Sequence, residues 1–123
     1  MTSSGAPSVA WGSLPLFILS LYGYSSHGLR DLQTTVFAQW HTTLRDLRAR
    51  IAIARRIERA SAGNLGDVKN LGGGLSEMRV NTGAGYRLYF TVRGNTLIVL
   101  LLGGDKSSQP ADICQARSLA KEF

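Results

Sequence analysis

The stretch YRLYFTVRGNTLIVLLL, residues 86–102, constrains the fold of this chain more than any other. Side chains in its first half alternate in the way of a β-strand with one buried face. The apolar face carries Tyr86, Leu88, Phe90 and Val92, and the opposite face carries Arg87, Tyr89, Thr91 and Arg93. A tight turn follows at Gly94–Asn95, and Thr96–Leu102 is apolar without alternation, as in a strand buried on both faces. Gly103 and Gly104 are expected to end this second strand. The stretch predicts an antiparallel hairpin whose second strand lies inside the domain.

Two helices are predicted before this hairpin and one after it. Thr34 or Thr35 is suited to cap the first helix. The apolar face of that helix carries Phe37, Trp40, His41 and Leu44. We interpret His41 as a residue packed beside the core rather than a catalyst. The second helix covers about Asp46–Ala62, and the change of apolar phase before it predicts a helical hairpin.

Further strands are predicted at Leu29–Gln33, Val68–Leu71 and Leu75–Asn81, and a C-terminal helix begins near Pro110. Gly72–Gly74 predicts a turn or bulge, since no phosphate-binding glycine motif follows. The predicted fold class is α+β: a small twisted antiparallel sheet with an N-terminal helical hairpin and a C-terminal helix. We expect the helices to pack on one face of the sheet and to leave the opposite face for function.

The first 28 residues differ in composition from the rest, so we divide the chain into an apolar N-terminal extension, residues 1–28, and a domain, residues 29–123. The apolar run Val9–Tyr24 is short and interrupted by Gly, Ser and Pro, which argues against a membrane span. No Lys or Arg precedes Arg30, which argues against a secretory signal. We therefore expect a protein that is neither secreted nor inserted in a membrane. The extension is either packed on the domain, a peripheral anchor or the product of an upstream start codon.

The charge balance predicts an anionic partner. The chain of 123 residues carries a formal net charge of +6, which favours nucleic acid or an acidic protein. Its one cysteine, Cys114, allows no internal disulfide, and no Cys/His metal spacing is present, so we expect no metal and no cofactor. Arg48, Arg55 and Arg59 stand at helical spacing; they form either a binding stripe for phosphates or an acidic partner, or a solvated helix face.

Two longer stretches carry a resemblance to a known family: NLGDVKNLGGGLSEMRVNTGAGYRLYF and GGDKSSQPADICQA. Together they resemble the RelE/ParE superfamily of toxins from type II toxin–antitoxin modules, in the HigB-like branch of addiction module killer proteins. The resemblance covers about Leu29–Phe123, without the first 28 residues. It implies a cytoplasmic toxin that cuts mRNA without a metal, often on the ribosome, and so inhibits translation. It also implies a small helix-turn-helix antitoxin of the HigA-like kind, with operator DNA bound through the toxin–antitoxin complex.

The resemblance also implies roles for individual residues. Arg87 of GYR, Arg79 of EMR and Lys106 of GGDK are placed to clamp phosphates, because guanidinium and ammonium groups stabilise developing phosphate charge. Glu77 is the nearest carboxylate and acts either as a base or as the ion-pair partner of an arginine. The remaining expected contacts are Lys69, Tyr89 and Arg93 for RNA, and Arg48, Arg55 and Arg59 for the antitoxin. Tyr89 either stacks on a base or packs beneath the basic face.

Two other functions stay open at this stage. One is a ParE-like toxin that arrests DNA gyrase through protein contacts, since that branch shares the fold. The other is an inactive toxin-like binding module, either a decayed toxin or one whose apolar N-terminal extension blocks the site.

Overall fold

A computed structural model of the chain describes residues 30–94 and 97–123. The predicted N-terminal extension and two residues of the hairpin turn, Asn95 and Thr96, lie outside the described residues. The strands are β1 (Arg30–Gln33), β2 (Val68–Gly72), β3 (Leu75–Val80), β4 (Tyr86–Arg93) and β5 (Leu97–Asp105). The helices are α1 (Thr35–Thr43), α2 (Leu47–Ser61) and α3 (Gln109–Ala120), with a 3-10 turn at Lys106–Ser108.

The described part of the chain is α+β, with one mixed five-stranded sheet in the order β1-β5-β4-β3-β2. β2 to β5 are antiparallel neighbours, but β1 runs parallel to β5, with Leu32 opposite Val99. The prediction of an antiparallel sheet was therefore wrong at this edge. Parallel neighbours need a long crossover, and here everything from α1 to β4 lies between them in the chain. Strand periodicity indicates a strand but not which strand it joins.

Helices cover both faces of the sheet, so the expectation of one free face was also wrong. α1 and α2 pack against the β4 face that carries Leu88 and Phe90, around the fully buried Phe37 and Ile53. α3 packs on the opposite face. The residues of this second core are Leu75, Tyr89, Val99, Leu101, Leu102 and Ala116, bordered by partly buried side chains from α3. Because β5 is apolar on both sides, as predicted, it needs cover on both sides.

The ends of the first two helices follow from short polar side chains. Thr34 Oγ1 accepts the Phe37 amide hydrogen at 3.0 Å and begins α1. Asp46 Oδ1 accepts the Ala49 amide hydrogen at 3.1 Å and begins α2. Each contact satisfies a helix-end amide that has no partner inside the helix. The break predicted between the helices lies where it was expected. Among the described helices, none has both the length and the apolar character of a membrane span.

β5 continues through two glycines that were expected to end it. A Cβ atom on Gly103 would overlap the Trp40 ring, and one on Gly104 would overlap the Asp112 carboxylate. The two glycines face opposite sides of the strand, so each lets one helix side chain approach the backbone of β5. They serve packing rather than strand termination.

The triple glycine is the turn between β2 and β3, as predicted. Gly72, Gly73 and Gly74 all have positive φ angles, of 87°, 63° and 83°, which other residues rarely adopt. Arg117 of α3 donates hydrogen bonds to the Gly72 and Leu71 carbonyl oxygens, at 3.0 and 2.8 Å. The turn is therefore tied to the helix that covers the second core.

Candidate functional site

Basic side chains from two neighbouring strands and from the 3-10 turn after β5 meet at one end of the sheet. Arg79 and Arg87 are direct cross-strand partners, and Arg87 pairs on its other side with Gly104. Alternation puts both arginines on the α3 face. Like charges directly opposite one another on a sheet destabilise it unless a counter-charge is near. This pair is therefore an electropositive feature that the fold must offset.

Lys106 lies close to the two arginines because Gly85, in the connection between β3 and β4, leaves room for its side chain. Gly85 has a φ of +81°, and a Cβ atom there would lie 2.9 Å from Lys106 Cε. The lysine side chain thus lies against the Gly85 backbone, two residues before Arg87. The GYR and GGDK segments, which are separate in the sequence, are in contact in the fold.

The counter-charge to this cluster is Glu77, which is fully buried. Its Oε1 accepts a hydrogen bond of 2.5 Å from Gln109 Nε2, and its Oε2 accepts one of 3.3 Å from Arg79 Nε. The same contact makes Arg79 and Glu77 a salt bridge, with 3.3 Å between Arg79 Nε and Glu77 Oε2. Glu77 therefore holds and orients Arg79, and in this conformation its carboxylate does not face solvent.

Tyr89 is also fully buried, and its hydroxyl has no hydrogen-bond partner in the described part of the chain. Burial, followed by the charges of Glu77 and Asp112, raises the Tyr89 pKa to about 12, against the opposing effect of Arg87. The phenol is thus a neutral donor at ordinary pH. Its ring packs among the residues of the second core, so it cannot stack on a base from this position.

Arg87 carries a second unsatisfied donor. Its Nε is buried without a hydrogen-bond partner among the described residues, and Arg87 lies two residues from Tyr89 on the same face of β4. Two buried donors without acceptors are costly, at roughly 1–3 kcal/mol each. A ligand that brought acceptor oxygens to this place would remove that cost.

The first turn of α3 closes the cluster from above. Asp112 lies over Gly104 and accepts a 2.5 Å hydrogen bond from Ser108 Oγ. Asp105 is engaged locally, since its Oδ1 accepts from the amide and hydroxyl of Ser107 at 2.8 and 2.5 Å. These bonds lower the Asp105 pKa, so this carboxylate stays charged without pairing to Lys106.

The remaining predicted site residues are more dispersed. Lys69 of β2 is exposed and stands directly opposite Glu77 of β3, so it extends the cluster by one strand. Arg93 lies at the far end of β4, about 20 Å from Arg87 by strand rise, and donates to the Ala120 carbonyl at 3.1 Å. Arg93 therefore lies apart from the cluster, because alternation predicts a shared face but not proximity along a strand, and its role in RNA binding stays a prediction.

The arginine stripe lies on the other side of the molecule. Arg48, Arg55 and Arg59 are exposed on α2, which packs on the sheet face opposite α3. His41 is likewise away from the cluster; its Nε2 lies 2.9 Å from the Arg50 carbonyl oxygen and its ring contacts Phe37.

Arg56 and Gln109 matter to the site, although neither was predicted to. Arg56 donates through Nη1 to the Arg79 carbonyl and through Nη2 to the Leu65 and Asp67 carbonyls, the latter two at 2.9 and 3.4 Å. Burial, then the charge of Arg59, lowers its pKa. The sequence gives little indication of either role. Gly66 of the NLGD segment leaves room for the Arg56 guanidinium, and Gln109 is the glutamine that ends the GGDKSSQ segment.

Fold and site together define a small basic α+β protein with a cationic cluster at one end of its sheet. No family model matches the chain. The chain is 45% identical over 90 residues to an uncharacterized protein of Haemophilus influenzae (strain ATCC 51907 / DSM 11121 / KW20 / Rd), and the match covers 73% of this chain and 91% of that protein. The chain belongs to the same family as that Haemophilus protein.

Proposed function

We propose that the chain is the toxin component of a type II toxin–antitoxin module, in the HigB-like branch of the RelE/ParE superfamily. The proposal rests on the motif resemblance together with the contacts between those motifs. GYR meets GGDK where Lys106 lies against Gly85, and NLGD meets EMR where Arg56 bonds the Arg79 carbonyl. The finer RelE-like arrangement, with α1 and α2 as a helical hairpin, is part of this proposal.

The proposed activity is metal-independent cleavage of mRNA. The convergence of Arg79, Arg87 and Lys106 at one end of the sheet, with a single paired carboxylate, is the observation that carries it. In this reaction the 2′-hydroxyl attacks the adjacent phosphorus and gives up its proton. The P–O5′ bond breaks, the 5′-oxygen takes a proton, and a 2′,3′-cyclic phosphate remains.

The cationic cluster would act on the charge that builds up on the phosphate oxygens. A guanidinium offers two parallel donors to a phosphate, and preorganised donors at the site of developing charge often lower the activation barrier more than any other effect. Arg79 is preorganised by Glu77 and by the hold of Arg56 on its carbonyl. The unsatisfied Nε donor of Arg87 would gain a phosphate oxygen as its acceptor.

The proposed partner on the other side of the molecule is a HigA-like antitoxin. The outer face of α2 exposes Leu47 and Ile51, 58% and 44% exposed, beside Arg48, Arg55 and Arg59. Apolar side chains flanked by arginines suit an acidic amphipathic segment. In this proposal the protein acts in the cytoplasm on mRNA, with the ribosome as a further partner, and meets operator DNA only through the antitoxin complex.

One observation favours a second candidate, a toxin-like protein that acts by binding alone, either on gyrase or as an inactive module. Of the side chains near the arginines that could move a proton, Glu77 and Tyr89 are both fully buried. Asp105 and Asp112 accept hydrogen bonds from Ser107 and Ser108, and His41 lies elsewhere. A general base must reach the proton that it removes. A binding protein needs the basic surface but no such group.

Controlled expression of the full chain without a partner tests the choice between these functions. The nuclease proposal predicts growth arrest with rapid transcript cleavage, and loss of both in Arg87→Ala. Arg45→Ala is the matched control, since Arg45 is exposed and lies outside the cluster. Growth arrest with intact transcripts would contradict the nuclease, and gyrase-linked DNA breaks would then identify the ParE-like function.

A further inference from the structure

A polar hollow of about 230 Å³ lies at the C-terminal end of α2, away from the α3 face. Its lining residues are Arg56, Arg59, Asn64, Gly66 and Asp67. The backbone turns sharply here. Gly63 has a φ of +98°, and the Asn64 amide donates to the Arg59 carbonyl at 2.9 Å. The hollow is therefore formed by the end of a helix and the loop that follows it.

Arg56 is fixed at the base of this hollow. Its guanidinium donates to the carbonyls of Arg79, Leu65 and Asp67. Gly66 lies against it with a φ of +70°, and a Cβ atom there would be 2.9 Å from Arg56 Nη2. A guanidinium held by three backbone carbonyls has lost its rotamer freedom already, so a ligand that contacts it loses little further conformational entropy.

The electrostatics of the hollow favour an anion. Arg56 and Arg59 are three residues apart on α2 and therefore neighbours on its surface. Neither forms an ion pair with a carboxylate in the described ranges. The charge of Arg59 contributes to the lowered pKa of Arg56, and Asp67 acts in the opposite direction. Two unneutralised guanidinium groups against one carboxylate leave an excess of positive charge.

The hollow is linked through the backbone to the cationic cluster. Arg56 bonds the Arg79 carbonyl, and the Arg79 amide donates to the Asp67 carbonyl at 3.0 Å. The loop that lines the hollow is thus continuous with the strand that carries Arg79. A nucleic-acid strand with one phosphate at Arg79 and Arg87 would meet the hollow as it passes around that end of the sheet.

We propose that this hollow binds a second phosphate group of a single-stranded nucleic acid, with Arg59 and Arg56 as its donors. The inference rests on the proposed function in taking nucleic acid as the ligand. The hollow would add a second phosphate contact, on the side of Arg79 that is opposite to the reacting phosphate. Arg59 supplies the adaptable donor, and Arg56 supplies the fixed positive charge.

The test measures binding of a fluorescently labelled 2′-O-methyl oligoribonucleotide to the full chain by anisotropy across a salt series. This probe lacks the 2′-hydroxyl nucleophile, so binding is measured without cleavage. Arg59→Gln should weaken binding roughly tenfold, the size of one charge-assisted hydrogen bond, and should reduce the salt slope by about 0.7. Arg45→Gln, which removes the same charge elsewhere, should weaken binding less than about twofold, as for a screened surface charge.

Asp67→Asn should change oligonucleotide binding in the opposite direction to Arg59→Gln. It removes the one carboxylate of the hollow but keeps the backbone carbonyl that holds Arg56, so binding should tighten by roughly twofold or more, as expected when a nearby like charge is removed. Equal effects of Arg59→Gln and Arg45→Gln, or weaker binding by Asp67→Asn, would overturn the inference.

Arg87→Ala in the same assay separates this inference from the proposed function. If Arg87→Ala weakens binding and Arg59→Gln has the same small effect as Arg45→Gln, the phosphate site in the hollow is wrong and the nuclease proposal stands. If the wild-type chain does not bind the oligonucleotide, the phosphate site in the hollow is wrong, and cleavage of mRNA with ribosomes then decides the nuclease proposal. If Arg59→Gln weakens only the binding of an acidic helical peptide, the hollow belongs to a protein interface and the nucleic-acid inference is overturned.

Discussion

The two faces of the sheet are built from similar strands but differ in what their helices bring to them. The face under α1 and α2 is mostly apolar, around Phe37, Ile53 and Leu88, although Ser61 of α2 donates a buried hydrogen bond to Asp31. The face under α3 is apolar in its middle but ionic at one end, where α3 begins with Gln109 and Asp112. The first face mainly stabilises the fold. The second combines stability with a group of charged side chains that are held in place but incompletely satisfied.

Replacing one buried leucine on each face, Leu88 or Leu101, tests this difference, and we expect these two changes to lower stability the most. Leu88 and Leu101 are both fully buried, one on each face. Replacing either with Ala should lower the free energy of unfolding by roughly 2–5 kcal/mol, because each leaves a cavity. Urea unfolding checks this.

The two variants should then differ in function when assayed under conditions where both are folded. Leu101→Ala should impair RNA cleavage more than Leu88→Ala does, since α3 packs beside Leu101 and carries Gln109. Equal activities in the two folded variants would show that the two faces are not specialised.

The paired glycines of β5 give a smaller contrast. Gly103→Ala would push a Cβ atom into the rigid ring of Trp40, whereas Gly104→Ala would meet the flexible carboxylate of Asp112. Both should destabilise, by roughly 1–3 kcal/mol, with Gly103→Ala at the upper end, as for overpacked core positions. Thermal unfolding measures the difference, and a larger loss in Gly104→Ala would contradict the account of these contacts.

Tyr89→Phe should have the smallest effect on stability at neutral pH. It removes a buried hydroxyl that has no partner among the described residues, so the free energy of unfolding should change by less than about 1 kcal/mol or should rise. The same variant should lose activity if the phenol donates to the phosphate. Unfolding and cleavage assays on one preparation separate the two effects.

The pH dependence of Tyr89→Phe has a defined sign. The Tyr89 pKa is raised from 10.0 to about 12 in the folded chain, so the folded state holds this proton more tightly than the unfolded state does. The resulting stability is fully present below pH 10 and is lost as pH rises towards about 12. The wild-type curve should therefore fall more steeply than that of Tyr89→Phe in this window, and parallel curves would contradict the burial of the phenol.

Local patterns predicted the parts of the fold that local forces determine. Alternation in Tyr86–Arg93 identifies β4 and its core face, and the polar side chains of Thr34 and Asp46 identify the starts of two helices. The uniform apolar character of β5 predicts burial on both sides. That prediction already requires a helix on each face, a consequence that the expected fold did not include.

Long-range partners were beyond what such patterns indicate. The parallel pairing of β1 with β5 joins segments more than sixty residues apart, and no periodicity encodes it. Glycines at Gly103 and Gly104 read as strand ends because their role depends on side chains from other elements. At the site, Arg79, Arg87 and Lys106 were predicted to lie together from motif positions, while Arg56 and Gln109 contribute through contacts that only the fold reveals.

Analysis of the RNA ends produced by the purified full chain shows whether the protein cleaves mRNA through the 2′-hydroxyl. Labelled mRNA would be incubated with the protein, with and without ribosomes, beside Arg87→Ala and the control Arg45→Ala. We expect fragments with 2′,3′-cyclic phosphate and 5′-hydroxyl ends. Cleavage activity should be unchanged in Arg45→Ala and should fall roughly 100-fold or more in Arg87→Ala, as when a donor to developing charge is removed. RNA that stays intact in both conditions, or cleavage that survives Arg87→Ala, would contradict it.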